Sequence, residues 1–260
     1  MRKLRIVALA SSLALIAGMA SAEDIKVGVS VGEHAEIMEQ VAKVAKEKGL
    51  NIDIVEFTDY VVPNQALNDG DLQANSFQHQ PYLDQQIKDR GFDLVSIGKT
   101  ITTPMGVYSQ KLKSLDELPE GGKVALPNDP TNGGRALLLL QEKGLIKLAE
   151  GTGLTPTPLD VTENAKNLKF LELDAAQLPR ALADADIAVI NTNYALEAGL
   201  NPEKDAIAIE AAESPYANII VVRSADKDAD WAKTLVESYH SPEVKKYIED
   251  KYTGAVIPAW

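Results

Sequence analysis

Arg135 follows a polar turn in the segment VALPNDPTNGGRALLLLQEKG, which runs from Val124 to Gly144. The pattern predicts a strand, a turn and a helix, with Thr131 or Asn132 as the N-cap. Backbone N–H groups at a helix start attract anions, whereas a cation in the same turn is unfavourable for the helix. We therefore expect a ligand carboxylate between the helix start and Arg135. An ordinary turn with an exposed arginine is the alternative.

Two adjacent glycines, Gly133 and Gly134, lie in the same turn. Glycine allows close approach to the backbone, which predicts that a ligand contacts the chain here. The segment is not a nucleotide-binding P-loop, because no Gly-Lys-Ser/Thr sequence follows the glycines.

Aromatic residues form a second cluster around predicted strand ends: Tyr60, Phe77, His79 and Tyr82. Rings at such positions could enclose an apolar or thioether side chain. The alternative is that they pack in the core at the edges of lobes. A metal site at His79 is not expected, because the chain has three histidines, no cysteine and no HExxH motif.

Asparagines form a third group: Asn128, Asn191, Asn193 and Asn218 follow or flank predicted strands. Amide side chains can accept from an ammonium group and donate to a carboxylate without adding net charge. Together with Arg135, they could hold an α-amino acid at both ends. Each asparagine taken alone is more often a turn residue.

The segment GVSVG, from Gly28 to Gly32, matches the nucleophile elbow of serine hydrolases around Ser30. Asp residues and His240 follow in the order that a Ser–Asp–His triad would use. The motif is short, however, and falls on the first strand after the leader segment. We therefore expect a glycine-rich turn at a cleft edge and no catalytic residue, with a secreted hydrolase as the rival reading.

Strand and helix patterns alternate along the rest of the chain, which predicts parallel sheets with helical crossovers. The number of strands fits two α/β lobes with a cleft between them better than one sheet. We place lobe 1 at residues 23–104 plus 216–260 and lobe 2 at residues 105–215, with crossings near Thr102–Gly106 and Ser214–Ala217. Ligands of such sheets bind beyond the carboxyl ends of the strands, where the polar clusters lie.

The first 22 residues read as a cleaved secretory signal, with a basic start, a short apolar stretch and the small residues Ala20, Ser21 and Ala22 at its end. The chain has a formal net charge of −12 and no cysteine. Its acidity argues against nucleic-acid binding. The lack of cysteine leaves no site for a lipid anchor, so we expect a soluble periplasmic protein.

Four segments carry a resemblance to a known family: EFTDYVVPNQALNDGDLQANSFQHQPYLDQQIKDRG, VALPNDPTNGGRALLLLQ, LELDAAQLPRAL and ESPYANIIVVR. Together they resemble the NLPA-type lipoproteins, over nearly all of residues 24–260. The chain departs from that family at the end of the signal, where members usually carry a lipobox cysteine.

The resemblance implies a two-lobed periplasmic-binding-protein fold of type II-like architecture, in a monomer without a cofactor. It implies capture of L-methionine between the lobes and delivery to an ABC importer permease driven by its ATPase subunit. Some relatives bind short dipeptides or other amino acids, so a methionine-containing dipeptide, D-methionine or another apolar amino acid is the alternative ligand. By resemblance, Arg135 and Asn132 hold the ligand carboxylate, and Asn193 rather than Asn191 supplies an amide. The ligand side chain would lie among Tyr60, Phe77, His79 and Tyr82.

Overall fold

The computed structural model describes residues 23–211 and 215–260. The predicted signal at residues 1–22, and Ser214 of the predicted second crossing, lie outside the described residues. The fold contains two five-stranded mixed sheets, each covered by helices. The first sheet draws its strands from residues 23–99 and 218–223, and the second from residues 106–209. The lobe boundaries at 104/105 and 215/216 stay a prediction.

The first sheet has its strands in the order β2 (Leu50–Phe57), β1 (Glu23–Ser30), β3 (Ala74–His79), β13 (Asn218–Arg223) and β4 (Leu94–Lys99). Strand β1 is parallel to β2 and β3. Strand β13 is antiparallel to both β3 and β4. Because of this pairing, the beginning of β13 lies at the sheet edge where β3 ends.

The second sheet has the order β10 (Lys169–Leu173), β7 (Lys123–Pro127), β11 (Ile187–Ile190), β6 (Gly106–Tyr108) and β12 (Ala206–Ile209). Strand β7 is parallel to β10 and β11, whereas β6 is antiparallel to β11 and β12. Two short antiparallel pairs complete the strands: β5 (Ile101–Thr102) with β14 (Ile257–Pro258), and β8 (Lys147–Leu148) with β9 (Val161–Glu163).

The helices connect and cover these strands. They are α1 (Glu33–Glu47), α2 (Val62–Asp69), α3 (Gln80–Arg90), α4 (Pro130–Glu142), α5 (Leu178–Ala181), α6 (Thr192–Glu197), α7 (Pro202–Asp205), α8 (Asp230–Tyr239) and α9 (Pro242–Tyr252). Within residues 23–211 and 215–260, none of them has the length and apolar character needed to cross a membrane.

Each sheet has its own hydrophobic core. Helix α1 buries Ile37, Met38, Val41 and Ala45 on one face, at the spacing of an amphipathic helix, and packs them against the first sheet. A separate cluster under the second sheet contains Leu126, Leu137 and Val189 among its buried residues. Two cores with a polar seam between them give the two lobes that the sequence pattern predicts.

The expected parallel pairing is confirmed for β1 with β2 and β3 and for β7 with β10 and β11. It is wrong for β6, β12 and β13, which run antiparallel to their neighbours. The alternation of strands and helices carries no information about a strand that returns from a distant part of the chain. The predicted helix start near Thr131 and Asn132 is also wrong by a few residues. Helix α4 begins at Pro130, and Asp129 is its N-cap.

Candidate functional site

A narrow cavity lies between the two lobes, with about 350 Å³ of empty space that includes its opening to solvent. Its walls come from both sheets, at the edges where strands end or begin. The residues that line it are His34, Tyr60, Phe77, Gln78, His79, Tyr82, Thr103, Asn132, Arg135, Asn191, Asn193 and Asn218. Nine of the ten residues that the sequence predicts for ligand binding therefore meet in one cavity. Asn128 does not.

Arg135 is the cation of this cavity and is only 3% exposed. Its Nη2 donates to the carbonyl oxygen of Thr103 at 2.9 Å. Its Nε donates to Oε1 of Glu210 at 3.0 Å, and Nη2 also donates to Oε2 of Glu210 at 2.5 Å. Among the described residues, Nη1 has no such partner. One edge of the guanidinium is thus fixed by the protein, which leaves the other edge for a ligand.

Glu210 balances the charge of Arg135, and sequence reasoning missed it. Its carboxylate also accepts from the backbone N–H of Met105 at 3.2 Å. The ring of Tyr216 lies 4.4 Å from Cζ of Arg135 and adds a cation–π contact. The position of Glu210 directly after a strand is the one signal that could have found it. A cavity with this internal pair suits a ligand of zero net charge.

His79 joins the two lobes. The backbone N–H of Tyr82 donates to Nδ1 of His79 at 3.1 Å, so the ring proton belongs on Nε2. That nitrogen lies 3.3 Å from Oδ1 of Asn132 on the opposite lobe. Burial, together with the nearby charge of Arg135, lowers the pKa of His79 to about 3. His79 is therefore neutral at neutral pH and acts as a hydrogen-bond donor across the cleft.

The amides of the second lobe form a chain that ends in free polar atoms. Asn132 accepts from Nδ2 of Asn191 at 2.9 Å and donates its own Nδ2 to Asp129. Asn193 accepts from the hydroxyl of Tyr60 at 2.5 Å. Within the described part of the chain, Oδ1 of Asn191 and Nδ2 of Asn193 are buried without a hydrogen-bond partner. One acceptor and one donor are therefore left for a ligand, because buried polar groups require partners.

The aromatic residues form one contiguous wall. The ring of Tyr60 lies 6.0 Å from Phe77, 6.4 Å from Tyr82 and 5.1 Å from Tyr194, measured between centroids. The Tyr82 hydroxyl donates to the carbonyl oxygen of Tyr60 at 2.8 Å. Since Tyr194 belongs to α6 of the second lobe, the wall extends across the cleft. Such a surface suits an apolar or thioether side chain.

The N-terminus of α4 is not open to a ligand. The carboxylate of Asp129 accepts from the backbone N–H of Asn132 at 2.9 Å and fills the place predicted for a ligand anion. Burial raises the pKa of Asp129 above its usual value. Arg135 lies in the second turn of the helix and not in the first, since the helix begins at Pro130. The expectation of a carboxylate between the helix start and Arg135 is corrected accordingly.

The paired glycines serve packing within the second lobe. A Cβ on Gly133 would lie 2.7 Å from the carbonyl oxygen of Pro127, and one on Gly134 would lie 2.5 Å from that of Leu154. Protein backbone, and not a ligand, occupies the space that a side chain would need. The prediction of close ligand approach at these glycines is therefore wrong.

Asn128 lies outside the cavity. Its Nδ2 donates to Asp174 at 2.8 Å, and the residue is exposed in a separate pocket near the cleft mouth. The rival reading of Ser30 as a nucleophile also lacks its geometry, because Ser30 Oγ is buried without a hydrogen-bond partner among the described residues. Nε2 of His240 is bonded instead to the carbonyl oxygen of Lys99 at 2.7 Å.

Three further cavity residues escaped sequence reasoning: His34, Gln78 and Thr103. Gln78 is held by Asn64, with which it exchanges hydrogen bonds of 2.7 and 2.6 Å. Amides inside a strand or helix give no local sign of facing a cavity. His34 follows a glycine turn at the start of α1, and that position is the only hint the sequence contains.

Two α/β lobes around a polar cavity, with one arginine and an aromatic wall, define a solute-binding protein of the periplasmic-binding class. The chain belongs to the NlpA lipoprotein family, whose model matches residues 25–260. It is 57% identical over 239 residues to the D-methionine-binding lipoprotein MetQ of Salmonella typhimurium, covering 91% of this chain and 88% of that relative.

Two solved structures are similar to the whole described fold. One is a nutrient-binding protein from Burkholderia cenocepacia bound to methionine, with 58% identity, a TM-score of 0.89, and coverage of 91% of this chain and 100% of that chain. The other is an ABC transporter periplasmic substrate-binding protein from Coxiella burnetii, with 48% identity, a TM-score of 0.87, and coverage of 90% and 100%.

These relatives confirm a binding protein and not an enzyme, and they confirm the family that the sequence motifs indicate. They do not support the predicted absence of a lipid anchor, because the curated relative is named a lipoprotein. The chain contains no cysteine. The predicted monomeric state stays a prediction.

Proposed function

We propose that the chain binds one methionine zwitterion between its lobes, with L-methionine as the ligand. The observation that carries the proposal is the set of free polar atoms in a charge-balanced cavity. Nδ2 of Asn193 is a donor and Oδ1 of Asn191 is an acceptor, both buried without a partner among the described residues. Nη1 of Arg135 is a further donor, because the hydrogen bonds of this side chain within the described residues use Nε and Nη2. Because Glu210 already offsets the charge of Arg135, a ligand with zero net charge leaves the closed cleft neutral.

The two ends of the ligand follow from these atoms. The carboxylate accepts from Arg135 and Asn193, and the ammonium group donates to Asn191. The thioether lies against the wall of Tyr60, Phe77 and Tyr82, where sulfur–ring contacts add about 0.3–1.5 kcal/mol each. Asn132 and His79 act by holding the amides and the lobes in place, since their own hydrogen bonds are used within the protein.

The second candidate ligand is D-methionine, because the curated relative carries that ligand in its name. The two enantiomers exchange the positions of the hydrogen and one substituent at Cα. Only one of them can therefore satisfy Arg135, Asn191 and the aromatic wall at the same time. A methionine-containing dipeptide or another apolar amino acid is a further alternative that a ligand panel separates.

The cellular role follows from the same class. We infer that the protein works in the periplasm and passes its ligand to the permease of an ABC importer with its ATPase subunit. Support comes from the solved relative described as an ABC transporter periplasmic substrate-binding protein. Exchange with such a partner requires the lobes to open, since the cavity is lined from both sides.

The test is a thermal melt of protein that has been unfolded, freed of ligand and refolded. Each enantiomer of methionine is added at about 1,000 times its dissociation constant, which adds roughly 4 kcal/mol of stability. For a chain of this size the melting temperature should rise by on the order of 10 °C. A shift with D-methionine alone would reverse the enantiomer, and no shift with either would refute methionine as the ligand.

A further inference from the structure

Glu33 is a buried carboxyl group that the proposed binding function does not use. It is the first residue of α1 and is 1% exposed. Apart from the backbone N–H of Glu33 itself, its side-chain oxygens have no hydrogen-bond partner among the described residues. One local hydrogen bond does not offset the cost of burying an ionised carboxylate, so Glu33 must be neutral when it is buried or must be exposed to water for part of the time.

Residues of both lobes meet around Glu33, and this contact region is called the seam below. Gly32, just before it, lies against Asn193 of the second lobe: a Cβ on Gly32 would be 3.2 Å from the carbonyl oxygen of Asn193. A pocket at the same seam is lined by Glu33 and Tyr252 from the first lobe and by Leu196 and Asn201 from the second. Separation of the lobes would therefore remove part of the cover over Glu33 and admit water.

Among the residues that the structure describes, no nearby cation compensates a charge on Glu33. His34, with Nε2 at 4.0 Å from Glu33 Oε1, is buried, which lowers its pKa to about 4. Lys251 on α9 is bonded to Glu36 at 2.9 Å. The remaining titratable groups that face this seam are acidic or phenolic, and they are Glu36 on α1, Glu197 on α6, Tyr60 after β2, Tyr239 on α8 and Tyr252 on α9.

Burial is the main cause that raises the pKa of Glu33, to about 8. The hydrogen bond from its own backbone N–H opposes this shift, and the negative charge of Glu36 adds to it. In a hydrated environment the same carboxyl would titrate near its ordinary value of about 4.3. Between these two values the closed form holds one more proton than a form with Glu33 in water.

We propose that closure of the lobes on the ligand is coupled to the uptake of one proton at Glu33. The identity of the ligand in this inference rests on the proposed function. The contact between the lobes around Glu33 does not depend on it. Glu33 is a positioning residue, because it touches no ligand and affects ligand binding only through the packing of α1 against α6. The closed state thus binds a proton at Glu33 in addition to methionine.

The sign of the effect follows from linkage. Because the closed form has the higher proton affinity, ligand affinity is greatest at low pH and falls as the pH rises. From about pH 5 to pH 8 the dissociation constant for methionine should rise by up to about tenfold per pH unit. Below and above this window the dependence on Glu33 levels off.

The direct experiment is calorimetry of methionine binding at pH 6.5 in buffers of different ionisation enthalpy. The wild type should take up about one proton per ligand, and Glu33→Gln, a neutral isostere, should take up none. The matched control is Glu39→Gln, the same change at an exposed position of the same helix, which should behave as the wild type. Wild-type binding without proton uptake, or equal uptake in Glu33→Gln, would overturn the proposal.

A ligand-free measurement separates this proposal from the proposed function. Small-angle scattering should show a larger radius of gyration for the ligand-free wild type at pH 8.5 than at pH 5. Glu33→Gln should show no such expansion. If methionine binds at no pH, the proposed ligand is wrong. The scattering experiment then still tests whether closure of the lobes is coupled to protonation of Glu33. An identical response of wild type and Glu33→Gln refutes that coupling whatever the ligand is.

Discussion

The imidazole of His79 and the amide of Asn132 face each other across the cleft, with Nε2 and Oδ1 3.3 Å apart. Each group is also tied into its own lobe, His79 by the N–H of Tyr82 and Asn132 by Asp129. The hydrogen bond between them can therefore form only when the two lobes are close together. Neutral His79 is essential to this arrangement, because its Nδ1 must accept.

The two buried histidines predict a loss of stability in acid. Their folded pKa values lie below the ordinary value, at about 4 for His34 and about 3 for His79, mainly through burial. Their contribution to the free energy of unfolding is therefore full above pH 6.5 and is lost as the pH falls below it, by up to about 1.4 kcal/mol per pH unit for each histidine.

Urea unfolding between pH 6.5 and pH 4.5 measures this slope. The double variant His34→Gln/His79→Gln should flatten it relative to wild type, and each single variant should remove about half of the difference. Comparing slopes cancels the contributions of all other groups. A double variant with the wild-type slope would show that neither histidine is held neutral.

Arg135 and Glu210 predict separable effects on stability and binding. Arg135→Ala leaves the carboxylate of Glu210 without its bidentate partner, which should lower the free energy of unfolding by about 3–5 kcal/mol. The double variant Arg135→Met/Glu210→Gln removes both charges and should recover most of that loss.

Binding should not recover in the double variant, since the donor to the ligand carboxylate is missing in both. Calorimetry should show methionine binding weakened by about 2–5 kcal/mol in each. Wild-type affinity in a folded Arg135 variant would show that the carboxylate lies elsewhere.

The Tyr60 hydroxyl predicts a smaller effect. Tyr60→Phe removes the 2.5 Å hydrogen bond to Asn193 across the cleft but keeps the ring against the ligand side chain. Methionine binding should weaken by about 1–3 kcal/mol, because a buried amide oxygen loses its donor. Tyr247→Phe, at a half-buried tyrosine of α9 whose hydroxyl accepts from Lys251 outside the cavity, provides a control for the same chemical change.

Gly134→Ala tests whether the paired glycines serve packing. The added methyl group would clash with the backbone at Leu154 and Thr155 of the same lobe, at 2.5 and 2.8 Å. Thermal unfolding should show a loss of about 1–3 kcal/mol. Glu142→Ala, at the exposed end of the same helix, should stay within about 0.5 kcal/mol of wild type. An unchanged stability in Gly134→Ala would contradict the packing role.

Much of the cavity could be predicted because its residues follow strands, and strand ends converge at one edge. The limit of this rule is clear from two asparagines. Asn128 follows β7 and Asn191 follows β11, yet Asn191 faces the cavity whereas Asn128 bonds outward to Asp174. The local sequence does not distinguish them, because the direction of each side chain depends on which segments pack beside it.

The start of α4 could have been predicted correctly, because the sequence contains the signal for it. Proline is favoured at the first position of a helix, so Asp129-Pro130 predicts Asp129 as the N-cap. Glu210 is a different case, because its position after β12 marks the residue but not its partner. Its pairing with Arg135 joins residues 75 positions apart, and no local pattern specifies such a contact. The pairing of Arg135 with Glu210 can therefore be identified only from the three-dimensional structure.

The place of β13 in the first sheet has a consequence for the order of folding. This strand, at residues 218–223, lies between β3 and β4, so the first sheet stays split until the last fifth of the chain arrives. The second sheet needs only residues 106–209 and can form earlier. A chain that emerges N-terminus first therefore presents strands β1, β2 and β3 apart from strand β4, and the first lobe becomes a finished binding surface only after the second.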